Sequence, residues 1–120
     1  DIVKRGSVIW DGTGKVLAED ARLTENMFER MRGLLGRPPL GKGEGMMIRP
    51  CSSVHTFGMT SDIDLVFISP MMEATKLVKR VRPFRIAWDF GAKAVLELWP
   101  GAIDEVGLVR GARLKWEDSQ

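Results

Sequence analysis

Two stretches of the chain are apolar on both of their alternating faces. In Ile63–Ser69, Ile63, Leu65 and Phe67 fall on one side at period two, and Asp64, Val66 and Ile68 fall on the other. In Ala92–Trp99, Ala94, Leu96 and Leu98 oppose Val95, Glu97 and Trp99. Runs of this kind mark strands buried on both sides. Val54–Met59 reads as a third strand, with His55, Phe57 and Met59 on one face. Thr60, Ser61 and Asp62 then form the turn into Ile63. Ser7–Trp10 and Lys15–Ala18 flank Asp11-Gly12-Thr13-Gly14, where two glycines permit the positive φ of a hairpin turn. The same four residues lack the later Gly and Lys of a phosphate-cradling loop.

The period changes once. Met27, Phe28, Met31, Leu34 and Leu35 make a single helical stripe, predicting a helix over residues 24–35. Thr24 would be its N-cap, and Gly36 with Pro38-Pro39 its stop. Pro38–Gly45 reads as a loop, Met46–Ile48 as the start of a strand, and Pro70–Thr75 as a turn. Lys76–Phe84 reads as a strand with mixed faces, Ala102–Val106 as one helical turn, and Leu114–Trp116 as a last strand. Frequent turns between about seven short strands predict a mainly β, antiparallel fold, a sandwich, jelly roll or barrel, with the helix covering an opening or one sheet.

Bulk composition narrows this only a little. With 120 residues, the whole of 1–120 is expected to be one domain with a real core. A net charge of +2 does not by itself imply a nucleic-acid or membrane partner. No apolar run approaches the ~20 residues of a membrane-spanning helix. The single Cys51 cannot form an internal disulfide. The first residue is Asp rather than Met, which suggests a removed leader and hence an exported protein, periplasmic or on the cell surface; cytoplasmic residence is the alternative.

Several motifs resemble those of the bacterial and archaeal family called domain of unknown function 192. They are Arg32-Gly33-Leu34-Leu35-Gly36-Arg37, Gly45-Met46, His55-Thr56-Phe57-Gly58-Met59, Ile63-Asp64 leading into Phe67, and Val95-Leu96-Glu97-Leu98 followed by Gly101. Their order and spacing span about residues 20–116. The resemblance implies a compact, mostly β fold of sandwich or jelly-roll type with one prominent helix. It also implies that many relatives are exported or lipid-anchored. It supplies no activity and gives Cys51 no role. Relatives often carry a Gly after the IDLVF-like strand, where this chain has Pro70-Met71-Met72-Glu73.

The chemistry concentrates around the one His. Cys51 and His55 would lie roughly 13 Å apart on a strand, too far for a nucleophile and its base. One Cys and one His do not furnish a closed zinc site, and Asp62, Asp64 and Glu97 match no calcium loop, so no metal and no cofactor are expected. A hydrolase would have to pair His55 with Asp64 or Glu97, using Ser53 or Thr56 as nucleophile, but no nucleophile elbow is present. A structural imidazole at His55, and an Asp64 that holds backbone donors, are the plainer readings.

The reading adopted is a non-enzymatic accessory or binding domain for a small polar or carbohydrate-like ligand near His55. The ligand-contacting residues are expected among His55, Thr56, Asp64, Glu97, Arg32 and Arg37, with Trp88 or Trp99 as a stacking platform. The hydrolase is one alternative. A nucleic-acid-associated or regulatory protein, using the basic strand 76–85 (Lys76, Lys79, Arg80, Arg82, Arg85), is the other. That strand reads first as an edge guarded by charge, so a nucleic-acid partner is not expected.

Overall fold

The computed structural model describes residues 3–25 and 39–119. Within these lie nine strands and one short helix: β1 (Lys4–Trp10), β2 (Lys15–Thr24), β3 (Glu44–Ile48), β4 (Ser53–His55), β5 (Ile63–Ile68), β6 (Ala74–Val81), β7 (Ile86–Trp88), β8 (Ala94–Leu98), α1 (Ala102–Val106) and β9 (Leu114–Asp118). The class is mainly β, as the pattern predicts. Thr24 closes β2 opposite Ile48. The rest of the helix expected over 24–35, together with Arg32 and Arg37, lies outside the described residues.

Seven strands form one sheet in the order β6-β5-β8-β3-β2-β1-β9, and β4 pairs with β7 in a separate ribbon. The sheet is not wholly antiparallel: β2 and β3 run parallel, from Asp20 opposite Glu44 to Thr24 opposite Ile48. Residues 25–43 separate the two strands, and a parallel pair needs a connection of a dozen residues or more. The sheet is also not a closed barrel. Its edge strands β6 and β9 approach at one corner only, where Glu73 bridges Arg113. There Leu114 N–H donates to the Met72 carbonyl and Ala74 N–H to the Ala112 carbonyl.

The alternation read from the sequence decides which core each residue enters. Val66 and Ile68 of β5, with Leu96 and Leu98 of β8, pack with Met47, Leu17, Val8 and Leu114 on one face. Ile103 of α1 joins this core. Ile63, Leu65 and Phe67, with Val95, Met46 and Ile48, fill the other face, and the β4–β7 ribbon covers them through Val54 and Ala87. All six residues of β5 and all five of β8 are buried, which places these strands at the centre of a two-sided core. Trp99 departs from the expected alternation. It lies just past β8 and packs against the first core, not on the face of Val95 and Glu97.

Candidate ligand-binding face

Asp64 and Glu97 are both fully buried, but on opposite faces of the sheet. Asp64 is paired with Leu98, and its neighbour Leu65 with Glu97. A buried carboxylate needs donors, and Asp64 has two from the backbone. Its Oδ1 accepts from Arg80 N–H at 2.8 Å and its Oδ2 from Ile103 N–H at 2.9 Å. The first donor lies in a bulge of β6, where Arg80 has φ 51°. The second is in the first turn of α1, whose preceding residue Gly101 supplies no side-chain cap. Asp64 thus joins three elements, and both of its oxygens are engaged.

His55 sits elsewhere. It is exposed on β4, opposite Ile86 of β7, and its ring lies 5.2 Å from that of Phe57. The side chain faces away from the sheet, because the next residue inward, Val54, points into the core. His55 is therefore not brought together with Asp64. Cys51 is buried beneath the ribbon with its Sγ toward the Ser53 carbonyl at 3.1 Å, on the other side from the His55 ring. Among the described residues, no three His, Cys, Asp or Glu side chains are grouped to hold a metal ion.

The strand predicted over 54–59 ends at His55. The chain turns at Thr56, Phe57 and Gly58, and Gly58 takes φ 85°. Thr56 is fully buried. Its hydroxyl donates to the Arg82 carbonyl at 2.6 Å and accepts from Arg85 N–H at 2.9 Å. Its backbone N–H donates to the Arg85 carbonyl, and its carbonyl accepts from Phe84 N–H. These bonds pin the 82–85 loop to the end of β4 and hold Phe84 at φ 63°, a left-handed conformation bulky side chains avoid. The Phe84 ring comes within 6.1 Å of Phe57.

The ribbon consequently presents a row of large apolar side chains to solvent. Phe84, Ile86, Trp88 and Phe90 are 69%, 58%, 50% and 84% exposed, and Phe57 and His55 lie beside them. At the Trp88 end an open groove of about 580 Å³ is lined by Lys76, Asp89, Phe90 and Arg110, among others. Lys76 Nζ donates to the Trp88 carbonyl at 2.8 Å and lies 5.6 Å from the indole centroid. The short strand β7 carries no apolar alternation beyond three residues and was not predicted. The pairing of Phe57 with Phe84 across it was hidden for the same reason. Trp88, one of the two expected stacking platforms, is at this face.

The other, Trp99, is not. It lines a smaller pocket of about 270 Å³ with Val16, Leu17 and Val106. Lys42 and Glu105 form an exposed ion pair of 2.8 Å on its rim. The hydrogen bond from Lys42, aided by one from Trp99, holds the Glu105 carboxyl below the usual carboxylate range, and Glu105 raises Lys42 in return.

Residues 8–116 match the model of DUF192, described as an uncharacterised ancient conserved region. The chain belongs to the DUF192 family. A UPF0127 protein of Thermococcus sibiricus is 31% identical over 109 residues, covering 87% of this chain and 70% of that protein. Two solved structures share the fold. A Sinorhizobium meliloti protein, described as a candidate transcription regulator, superposes with a TM-score of 0.78 at 20% identity, covering 96% of this chain and 94% of its own. A Novosphingobium aromaticivorans protein of unknown function gives 0.79 at 21% identity, covering 95% and 85%. The DUF192 motif residues divide accordingly: Ile63-Asp64 and Val95–Leu98 build the sheet centre, while His55-Thr56-Phe57 organises the exposed ribbon. No helix among the described residues is long and apolar enough to cross a membrane.

Proposed function

We propose that this DUF192 chain is a non-enzymatic binding module for a polar, carbohydrate-like ligand seated on the ribbon face between His55 and Trp88. The observation that carries the reading is Trp88: a half-exposed indole at the rim of an open groove, fixed by the Lys76 ammonium. An indole left in water beside hydrogen-bonding groups is the arrangement that ring-bearing polar ligands require. Lys76 and Arg110 supply donors, and Asp89 supplies an acceptor for hydroxyl groups. Of the residues expected to contact ligand, His55 is on this face; Thr56 shapes it from below. Asp64 is engaged with backbone, and Glu97 is buried within the sheet, so neither reaches it.

A titration of the protein with a panel of soluble saccharides, followed on the His55 imidazole and Trp88 indole signals by NMR, tests this. Saturable shifts on both residues are expected, and Trp88→Ala should weaken binding about fivefold to tenfold. Turnover of any ligand that is lost in His55→Ala would refute the non-enzymatic reading.

A further inference from the structure

A second cavity lies across the sheet from the ribbon. Its walls, Val16, Leu17, Trp99 and Val106, are apolar, and Leu17 and Trp99 pack in the core that the ribbon does not cover. At about 270 Å³ it is smaller than the ~300–1,000 Å³ of most ligand clefts, so it suits a short apolar chain rather than an extended molecule. The charged groups at its mouth are two carboxylates and one ammonium: Glu19, Glu105 and Lys42. Each is held in place. The turn through Lys42 is pinned to β2 by the Asp20 N–H, which donates to the Gly43 carbonyl at 3.0 Å. Gly43 has φ 88°, and a Cβ there would stand 2.9 Å from Glu19 Oε1, so the glycine leaves that carboxylate its place. Glu105 is paired with Lys42 Nζ at 2.8 Å and accepts from the Trp99 indole N–H. Among the described residues, Glu19 has no ion-pair partner. Lys15 does not line the cavity: its ammonium donates to the Val106 carbonyl and lies over the Trp10 ring.

We propose that this cavity binds a small free alkylamine as its ammonium, the chain against Trp99, Val16, Leu17 and Val106 and the charge between Glu19 and Glu105. Two observations select a cation. The mouth carries one more carboxylate than ammonium, so an anion meets net repulsion there. The protein's own Lys42 also seats an alkylammonium on Glu105, beside an indole whose face attracts cations. An incoming ammonium competes with Lys42 for Glu105 and gains Glu19 besides. The cavity is separate from the ribbon, so the two sites stand or fall independently.

Titration with hexylammonium, hexanol and hexanoate, which share a chain length and differ in charge, tests this by NMR. The Trp99 indole N–H reports on the cavity and the His55 imidazole on the ribbon. Hexylammonium is expected to shift Trp99 saturably in the millimolar range and to leave His55 still, with hexanol about threefold weaker and hexanoate weaker again. Glu19→Gln should weaken the ammonium about threefold. Lys42→Gln should tighten it about threefold, because Glu105 is then released to the ligand. Both side chains are exposed, so these variants keep the fold. Contact with the apolar walls alone leaves binding unchanged in both variants, and that result overturns the proposal. So does hexanol or hexanoate binding as tightly as the ammonium, a shift confined to His55, or no saturation in any titration. Tighter binding of Nα-acetyl-lysine amide than of hexylammonium assigns the seat to a lysine of a partner protein and overturns the free amine.

Discussion

Asp64 holds two backbone N–H groups that are 23 residues apart in the chain, one in a strand bulge and one in a helix. An amide cannot accept at both ends, so Asp64→Asn turns a donor toward one of those N–H groups and leaves it unsatisfied inside the core. The expected cost is about 2 kcal/mol, and about 4 kcal/mol for Asp64→Ala, which abandons both. Urea unfolding measures this, with near-native spectra expected for Asp64→Asn. A midpoint unchanged in Asp64→Ala would refute the role. The residue was conspicuous in the sequence, as one carboxylate in an otherwise apolar strand, and a backbone-holding role was among its readings. Its partners were not legible, because Arg80 and Ile103 are brought to it by the sheet order, which no local pattern encodes.

Between elements, the decisive junction is the 56–57 turn against the 82–85 loop. Thr56→Val keeps the volume and removes the hydroxyl, leaving the Arg82 carbonyl and Arg85 N–H without their partner. We expect a loss of about 2 kcal/mol in stability. We also expect averaging of the His55, Phe57 and Phe84 ring signals by NMR, since the restraint on Phe84 is gone. Unaltered ring signals would show that Phe84 is held by other means. The long strands were legible from alternation because both of their faces are apolar. Of the ribbon, β4 was legible as a strand, though read too long, whereas β7 was not, because it is three residues long and only Ala87 points inward. An element so short writes too little pattern into the chain. The basic strand was legible as an edge, and β6 is one edge of the sheet. Its cations acquire a second meaning only once the ribbon sets aromatic side chains beside them.

At the scale of the molecule, the first strand pairs with the last: β1 lies between β2 and β9, with Gly6 opposite Asp118 and Trp10 opposite Leu114. Leu114 is buried in the same core as Val8 and Leu17. A chain ending at Arg113 loses this strand, its ladder to β1 and the burial of Leu114, worth about 2 kcal/mol alone. Against a typical total of about 5–15 kcal/mol, such a chain is expected to lose its cooperative thermal transition by circular dichroism. Retention of that transition would show that β9 is dispensable. The mainly β class and the central strands followed from alternation. The parallel β2–β3 pair did not, since direction depends on where the connection travels. The corner at which Glu73 meets Arg113 also has a consequence for biosynthesis. A ribosome releases the chain from its N-terminus, so β1 waits beside β2 with one flank bare until residues 114–118 emerge. The sheet is therefore completed only once β9 has cleared the ribosome, well after the strands at its centre are free to pair.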